Sequence, residues 1–208
     1  MSILLASDQL EVAAATLARA FESEPVHQVL WPDPRQRVGR ATRLIRCLLR
    51  DALRYGEVQA TSANLEAVAV WMPPHRCHPS LLRLARSGFF WLLLSEGPRF
   101  FGLSWRYHRQ VMVMSRAHAD ARLWYLQMLG VAPDQQRKGY GSGLLGSMFT
   151  RLDRAGAGCC LETSSETNVA FYQRSGFQVA DQRRIGGIEL PCWFMVRRAK
   201  PTVLADAS

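Results

Sequence analysis

The stretch that most constrains the fold runs from Leu126 to Leu145, LQMLGVAPDQQRKGYGSGLL. It begins as an apolar strand, breaks at Pro133 and crosses a polar loop to Gly139 and Gly141. From Tyr140 the apolar positions change to helical spacing, through Leu144, Leu145, Met148, Phe149 and Leu152. A strand that passes through a glycine-bearing loop into a helix start leaves unpaired amides and the positive helix end aimed at one spot. Glycine there lets an anion approach the backbone closely. The loop matches neither Gly-x-x-x-x-Gly-Lys-Ser/Thr nor Gly-x-Gly-x-x-Gly after a strand, so its ligand is not set by those motifs.

With 208 residues the chain suits a single domain, expected over 1–199, with 200–208 as a disordered tail. A formal charge of +9 raises the question of nucleic acid. Many of the arginines, however, recur along one expected helix, at Arg35, Arg37, Arg40, Arg43, Arg46, Arg50 and Arg54, as on a solvated face. No nucleic-acid reading motif accompanies them, and no nucleic-acid partner is expected. Five cysteines without regular spacing read as reduced thiols of a cytoplasmic protein. His75-Arg76-Cys77-His78 has the look of a metal fragment but no second ligand pair follows, so no metal is expected. No basic region precedes the short N-terminal apolar run, and the longest such run, Phe89 to Leu94, is too short to cross a bilayer. The expectation is a soluble protein without a membrane partner.

Taken in order, Asp8 starts a helix with Glu11 as its capping-box partner. Glu22 to Pro34 reads as a loop holding His27 and Trp31. Asp33-Pro34 then opens a second helix, cap first and proline at the first helical position, running to about Arg54. Glu57–Thr61 and Ala67–Met72 form a hairpin about Ser62-Ala63-Asn64. From Pro79 to Ala119 the period is helical and the composition aromatic, divided at Gly97-Pro98. Those aromatics suit core packing, a lid over an acceptor pocket, or a contact in a homodimer, which stays open. A strand over 123–131, a helix to Ala155, a short buried strand over 159–162, a short helix over 168–175 and a hairpin about Gly186-Gly187 complete the chain.

Two segments together resemble a known family. Gln136-Arg137-Lys138-Gly139-Tyr140-Gly141 fits Gln/Arg-x-x-Gly-x-Gly/Ala and follows Leu129-Gly130-Val131. Downstream, Leu161-Glu162-Thr163-Ser164 leads through Asn168 and Phe171-Tyr172 to Gly176-Phe177. In this order and spacing they resemble the GNAT superfamily of N-acyltransferases, over roughly Val58 to Arg197. The resemblance implies an α/β (α+β) fold: a mixed central sheet split between two parallel strands, with helices on both faces.

It also implies acetyl-CoA as co-substrate and the amine of a small molecule as acceptor. Leu129, Gly130 and Val131 would pair with the pantetheine arm as an added strand does. Gln136, Arg137, Lys138, Gly139, Tyr140, Gly141 and Ser142 would hold the pyrophosphate. Asn168 would join them, although in many members the corresponding Asn lies seven residues before the Tyr, where this chain has Ser165. A helix cap is its other reading. Glu162 is the candidate general base, since a carboxylate in so short an apolar strand needs a reason; pairing with an arginine would be another. Tyr172 is the candidate acid for the departing thiolate, with a structural phenol as the alternative. His27, Trp31 and Trp71 would flank the acceptor and present aromatic surface with few acidic groups. A protein N-terminal or lysine acetyltransferase, and a non-catalytic CoA-binding module, remain alternative readings.

Overall fold

The computed structural model describes residues 2–77, 79–118 and 122–200. Its local logic begins at the helix starts. Asp33 caps α3 (Pro34–Tyr55), its Oδ1 accepting from the Arg35 amide at 3.0 Å, with Pro34 at the first turn as expected. The N-terminal helix departs from expectation. A 3-10 turn over Ser7–Gln9 precedes α1 (Leu10–Ala20), and Gln9, not Glu11, reaches back to the Ala6 amide. Glu11 is free to pair with Arg46 on α3 at 2.6 Å. The presumed loop over 22–34 contains a helix, α2 (Pro25–Leu30), started by Pro25.

Seven strands form one sheet in the order β1-β2-β3-β4-β5-β7-β6. They are β1 (Ile3–Leu4), β2 (Glu57–Ala60), β3 (Ala67–Met72), β4 (Trp124–Val131), β5 (Cys159–Thr163), β6 (Gln178–Ile185) and β7 (Leu190–Arg197). Every neighbouring pair is antiparallel except β4 and β5. Between the strands lie α4 (Leu81–Ser87), α5 (Phe89–Ala117), α6 (Tyr140–Arg154) and α7 (Glu166–Arg174). The aromatic segment is broken at Gly88, in a left-handed conformation, and again inside α5 at Gly97. Only the second break was foreseen.

All six residues of β3 are buried, and their alternation sorts two cores. Val68, Val70 and Met72 pack with α1 and α3, whereas Ala67, Ala69 and Trp71 pack with Leu144, Leu145, Met148 and Leu152 of α6. At about 25 cal/mol per Å² of apolar surface, such two-sided burial fastens β3 to both cores. The aromatics of 79–119 divide: Phe100 is core, while Phe90, Trp91, Phe101 and Trp105 are exposed.

The pairing of β4 with its two neighbours positions the site. Against β3 it runs in register to Val131, with one bulge: Val70 faces Met128 and Trp71 faces Leu126, leaving Gln127 as the extra residue. Against β5 the pairing consists of Trp124 with Cys159 and Tyr125 with Cys160. A bulge bends its strand, and it lies two residues past the end of that short parallel seam. Beyond Tyr125 the two strands part.

Candidate active site

Between the diverging strands lies a cavity of about 260 Å³, with Leu126 to Leu129 of β4 on one side and Glu162 to Ser164 at the end of β5 on the other. Glu162 is its central ionisable group. The Tyr125 hydroxyl donates to Glu162 Oε1 at 2.6 Å, and Oε2 is buried without a hydrogen-bond partner. Burial pushes this carboxyl up to about 7, partly offset by the Tyr125 hydrogen bond. No arginine pairs with it among the described residues, which removes the structural reason weighed for a charge in this strand.

Tyr172 lines the same cavity, projected from α7 and packed edge-on against Phe171 and Phe177. Burial raises its phenol above the usual range, so it stays a protonated donor at neutral pH. Asn168 is the third residue of α7, not its cap, which is Ser165. Its amide Nδ2 donates to Glu24 Oε1 at 2.9 Å and reaches Thr163 Oγ1 at 3.4 Å.

The expected phosphate end is also assembled. Gly139 is the residue before α6 and holds φ +84°, where a side chain is strained, and open space surrounds the point where its Cβ would stand. The amides of Tyr140, Gly141 and Ser142 precede the first intrahelical bond, which runs from the Gly143 amide to the Gly139 carbonyl at 2.9 Å. Arg137 also takes a positive φ, and Lys138 Nζ donates to Gln135 Oε1 at 3.0 Å. Gln136 folds back towards the Val131 carbonyl at 3.4 Å. Gly130 is a glycine for packing: a Cβ there would stand 2.7 Å from Leu17 Cδ2 of α1.

Of the three expected acceptor residues, His27 and Trp31 meet at 5.4 Å between ring centroids, Trp71 stands apart, and His27 alone of the three lines the cavity. Burial lowers the His27 pKa to about 4 against the opposing effect of the Phe21 carbonyl, leaving the ring neutral. Trp31 stands behind it, 2% exposed, stacked on Phe100 and donating from Nε1 to Glu96 Oε2 at 2.8 Å. Trp71 is wholly buried against α6 and does not line the cavity. Sequence reasoning missed Glu24, Tyr107, Tyr125 and Gln127, all on the cavity wall. The expectation of few acidic groups is corrected: Glu24 and Glu162 both line it. For Glu24 the available signal was a carboxylate directly before Pro25.

Among the described residues no group of three or more His, Cys, Asp or Glu side chains could hold a metal ion. His78, the last residue of the metal-like fragment, lies outside them, as do residues 201–208 of the expected tail. No described helix is long and apolar enough to cross a membrane.

A mixed seven-stranded sheet parted at one parallel pair, with helices on both sides, is the GNAT fold, and the resemblances that follow support an acyltransferase. Residues 99–179 match the family model described as an acetyltransferase (GNAT) domain. An uncharacterised N-acetyltransferase of Schizosaccharomyces pombe is 28% identical over 171 residues, which is 79% of this chain and 69% of the relative. The crystal structure of a histone acetyltransferase HPA2 and related acetyltransferase from Corynebacterium glutamicum aligns with a TM-score of 0.66 at 18% identity, covering 98% of each chain. Arylalkylamine N-acetyltransferase 2 from Aedes aegypti aligns at 0.60 and 10% identity, over 96% of this chain and 99% of that one. At such identities the structural matches show the shared fold.

Proposed function

We propose that the protein moves an acetyl group from acetyl-CoA to the primary amine of a small molecule, by direct attack within a ternary complex. The observation that carries this reading is Glu162, whose unpartnered Oε2 sits in the split between β4 and β5 on the wall of a cavity it shares with Tyr172. Such a carboxylate can take the proton an attacking amine must lose. The Tyr172 hydroxyl can give a proton to the departing thiolate.

The residues present fit acetyl-CoA, which supplies an activated acetyl thioester. Unpaired amides at the start of α6, the open space over Gly139 and the nearby Arg137 and Lys138 suit a pyrophosphate. The edge of β4 beyond Tyr125, unpaired by β5, leaves Leu129 and Val131 able to bond an extended arm. Asn168, committed to Glu24 and Thr163, is assigned here to wall structure near the thioester end.

A cavity of about 260 Å³ supports a small acceptor over a peptide groove. Within the superfamily, Ala67-Val68-Ala69-Val70-Trp71, Gly130-Val131-Ala132-Pro133-Asp134 and Leu161-Glu162-Thr163-Ser164 resemble puromycin N-acetyltransferase, which points to a xenobiotic or antibiotic amine. Five free thiols suit a reducing, cytoplasmic setting. Acetyl-CoA with a panel of small amines should give amine-dependent CoA release and an N-acetylated product. Acetylation of a peptide N-terminus or lysine alone would instead make it a protein acetyltransferase, and tight acetyl-CoA binding without any transfer would make it a binding module.

A further inference from the structure

Two buried acceptors on the wall of this cavity have no hydrogen-bond partner, Gln127 Oε1 and Glu162 Oε2. The His27 ring and the Ser164 hydroxyl beside them lie against the Phe21 carbonyl and the Tyr107 hydroxyl. Unsatisfied polar atoms are rare in folded proteins because each costs on the order of 1–3 kcal/mol, so this pair calls for donors that water or a ligand brings into the split.

Charge points the same way. The chain has 26 lysines and arginines, yet no described one lines the cavity, whereas two glutamates do. Arg37, the cation whose field reaches His27, is committed elsewhere: it donates to the carbonyls of Trp31 at 2.9 Å and Pro32 at 3.0 Å. Glu24 is held by Asn168 at Oε1, and no described residue donates to its Oε2. The facing contribution of α3 is apolar throughout, from Leu44, Ile45 and Leu48.

Building on the acetyl-transfer reading, we infer that the cavity selects a singly charged amine on an apolar body with no carboxylate, and that Glu24 is the counter-charge that receives it. An α-amino acid would bring its carboxylate between Glu24 and Glu162 with no cationic side chain to meet it. A polyamine would press a second ammonium against the α3 wall. Both are penalised by burial of an unpaired charge. Glu24 is thereby a specificity residue, separate from the proton-accepting Glu162.

The test pairs each amine with its carboxylated parent: phenethylamine with phenylalanine, and isoamylamine with leucine. The amine should exceed its parent in kcat/KM by about 100-fold or more, the scale expected for burying one unpaired charge. Glu24→Gln, which keeps an oxygen for Asn168, should raise KM for phenethylamine about tenfold while changing kcat by less than about twofold, and Glu24→Asp should recover part of the loss. Amino acids accepted within tenfold of their amines, or a Glu24→Gln variant with unchanged KM, would overturn the inference. Calorimetry separates the two layers. If no amine is acetylated, the transfer reading fails, yet phenethylamine binding more tightly than phenylalanine keeps the charge selectivity. Equal binding, or none by either compound, sinks it.

Discussion

Tyr125 and Glu162 are joined by a 2.6 Å hydrogen bond across the fork where β4 and β5 part, and this bond leaves one carboxylate oxygen committed and the other unpartnered. Donation to the charged form favours ionisation, against the burial that opposes it. Around Glu162 also stand Tyr107 of α5, Glu24 and His27 near and on α2, Tyr172 of α7 and Cys192 of β7. Tyr125→Phe should therefore move the ascending limb of the kcat/KM profile, expected near pH 7, to higher pH, while Glu162→Gln removes that limb. A limb unmoved in Tyr125→Phe would leave Tyr125 a purely structural phenol.

The same burial has a signature in stability. Glu162 titrates at about 7 in the folded chain against 4.5 for an ordinary glutamate. Its contribution is fully present below the unfolded value and is lost as pH rises through the folded one. Glu162→Gln should thus be more stable than the parent at pH 8, by on the order of 1–3 kcal/mol, and equal to it below about pH 4. Denaturant midpoints at both pH values decide the matter; a variant no more stable at pH 8 would contradict a strained carboxylate.

Gly139 combines a φ of +84° with open space above it. A valine there meets no clash but must hold a left-handed backbone at a cost of about 1–3 kcal/mol, and it fills the approach expected for a phosphate. The variant should fold and lose acetyl-CoA affinity by about tenfold or more, measured by calorimetry. Unchanged affinity in a folded protein would remove the phosphate site from this loop.

Tyr172→Phe keeps the ring that packs on Phe171 and Phe177 and deletes only the hydroxyl. Acetyl-CoA binding should persist while turnover falls by about 10²–10⁴-fold, the usual share of general acid–base catalysis. A drop of less than about fivefold, with chemistry rate-limiting, would rule out Tyr172 as the acid.

What the sequence made legible was local in origin. Asp33-Pro34 announces α3 because cap and proline act within one turn, and Glu162 stood out because a charge in a short apolar strand demands a partner or a task. α2 escaped because six residues are too few to display a helical period. Trp71 was placed at the acceptor since strand alternation sorts residues into two faces without saying which face meets the cavity; its face is the one against α6. Tyr125 and Glu24 lie 37 and 138 positions from Glu162, and no local pattern registers a meeting at that separation.

The short seam between β4 and β5 also leaves the two halves of the sheet joined mainly through packed side chains. Two residue pairs join β1–β4 to β5–β7–β6, while the α6-side core runs beneath both halves, from Ala69 and Trp71 to Leu161, Trp193 and Met195. On the opposite face α5 spans the same division, from Phe100 in the core with α3 to Val111 and Met114 against Cys160 and Phe194, so helices bridge both faces and the backbone seam is the short link. A molecule lodged in the split becomes a further fastening, so that occupancy stiffens the sheet as a whole and slow amide exchange should spread outward from Tyr125 along both strands when the site is filled.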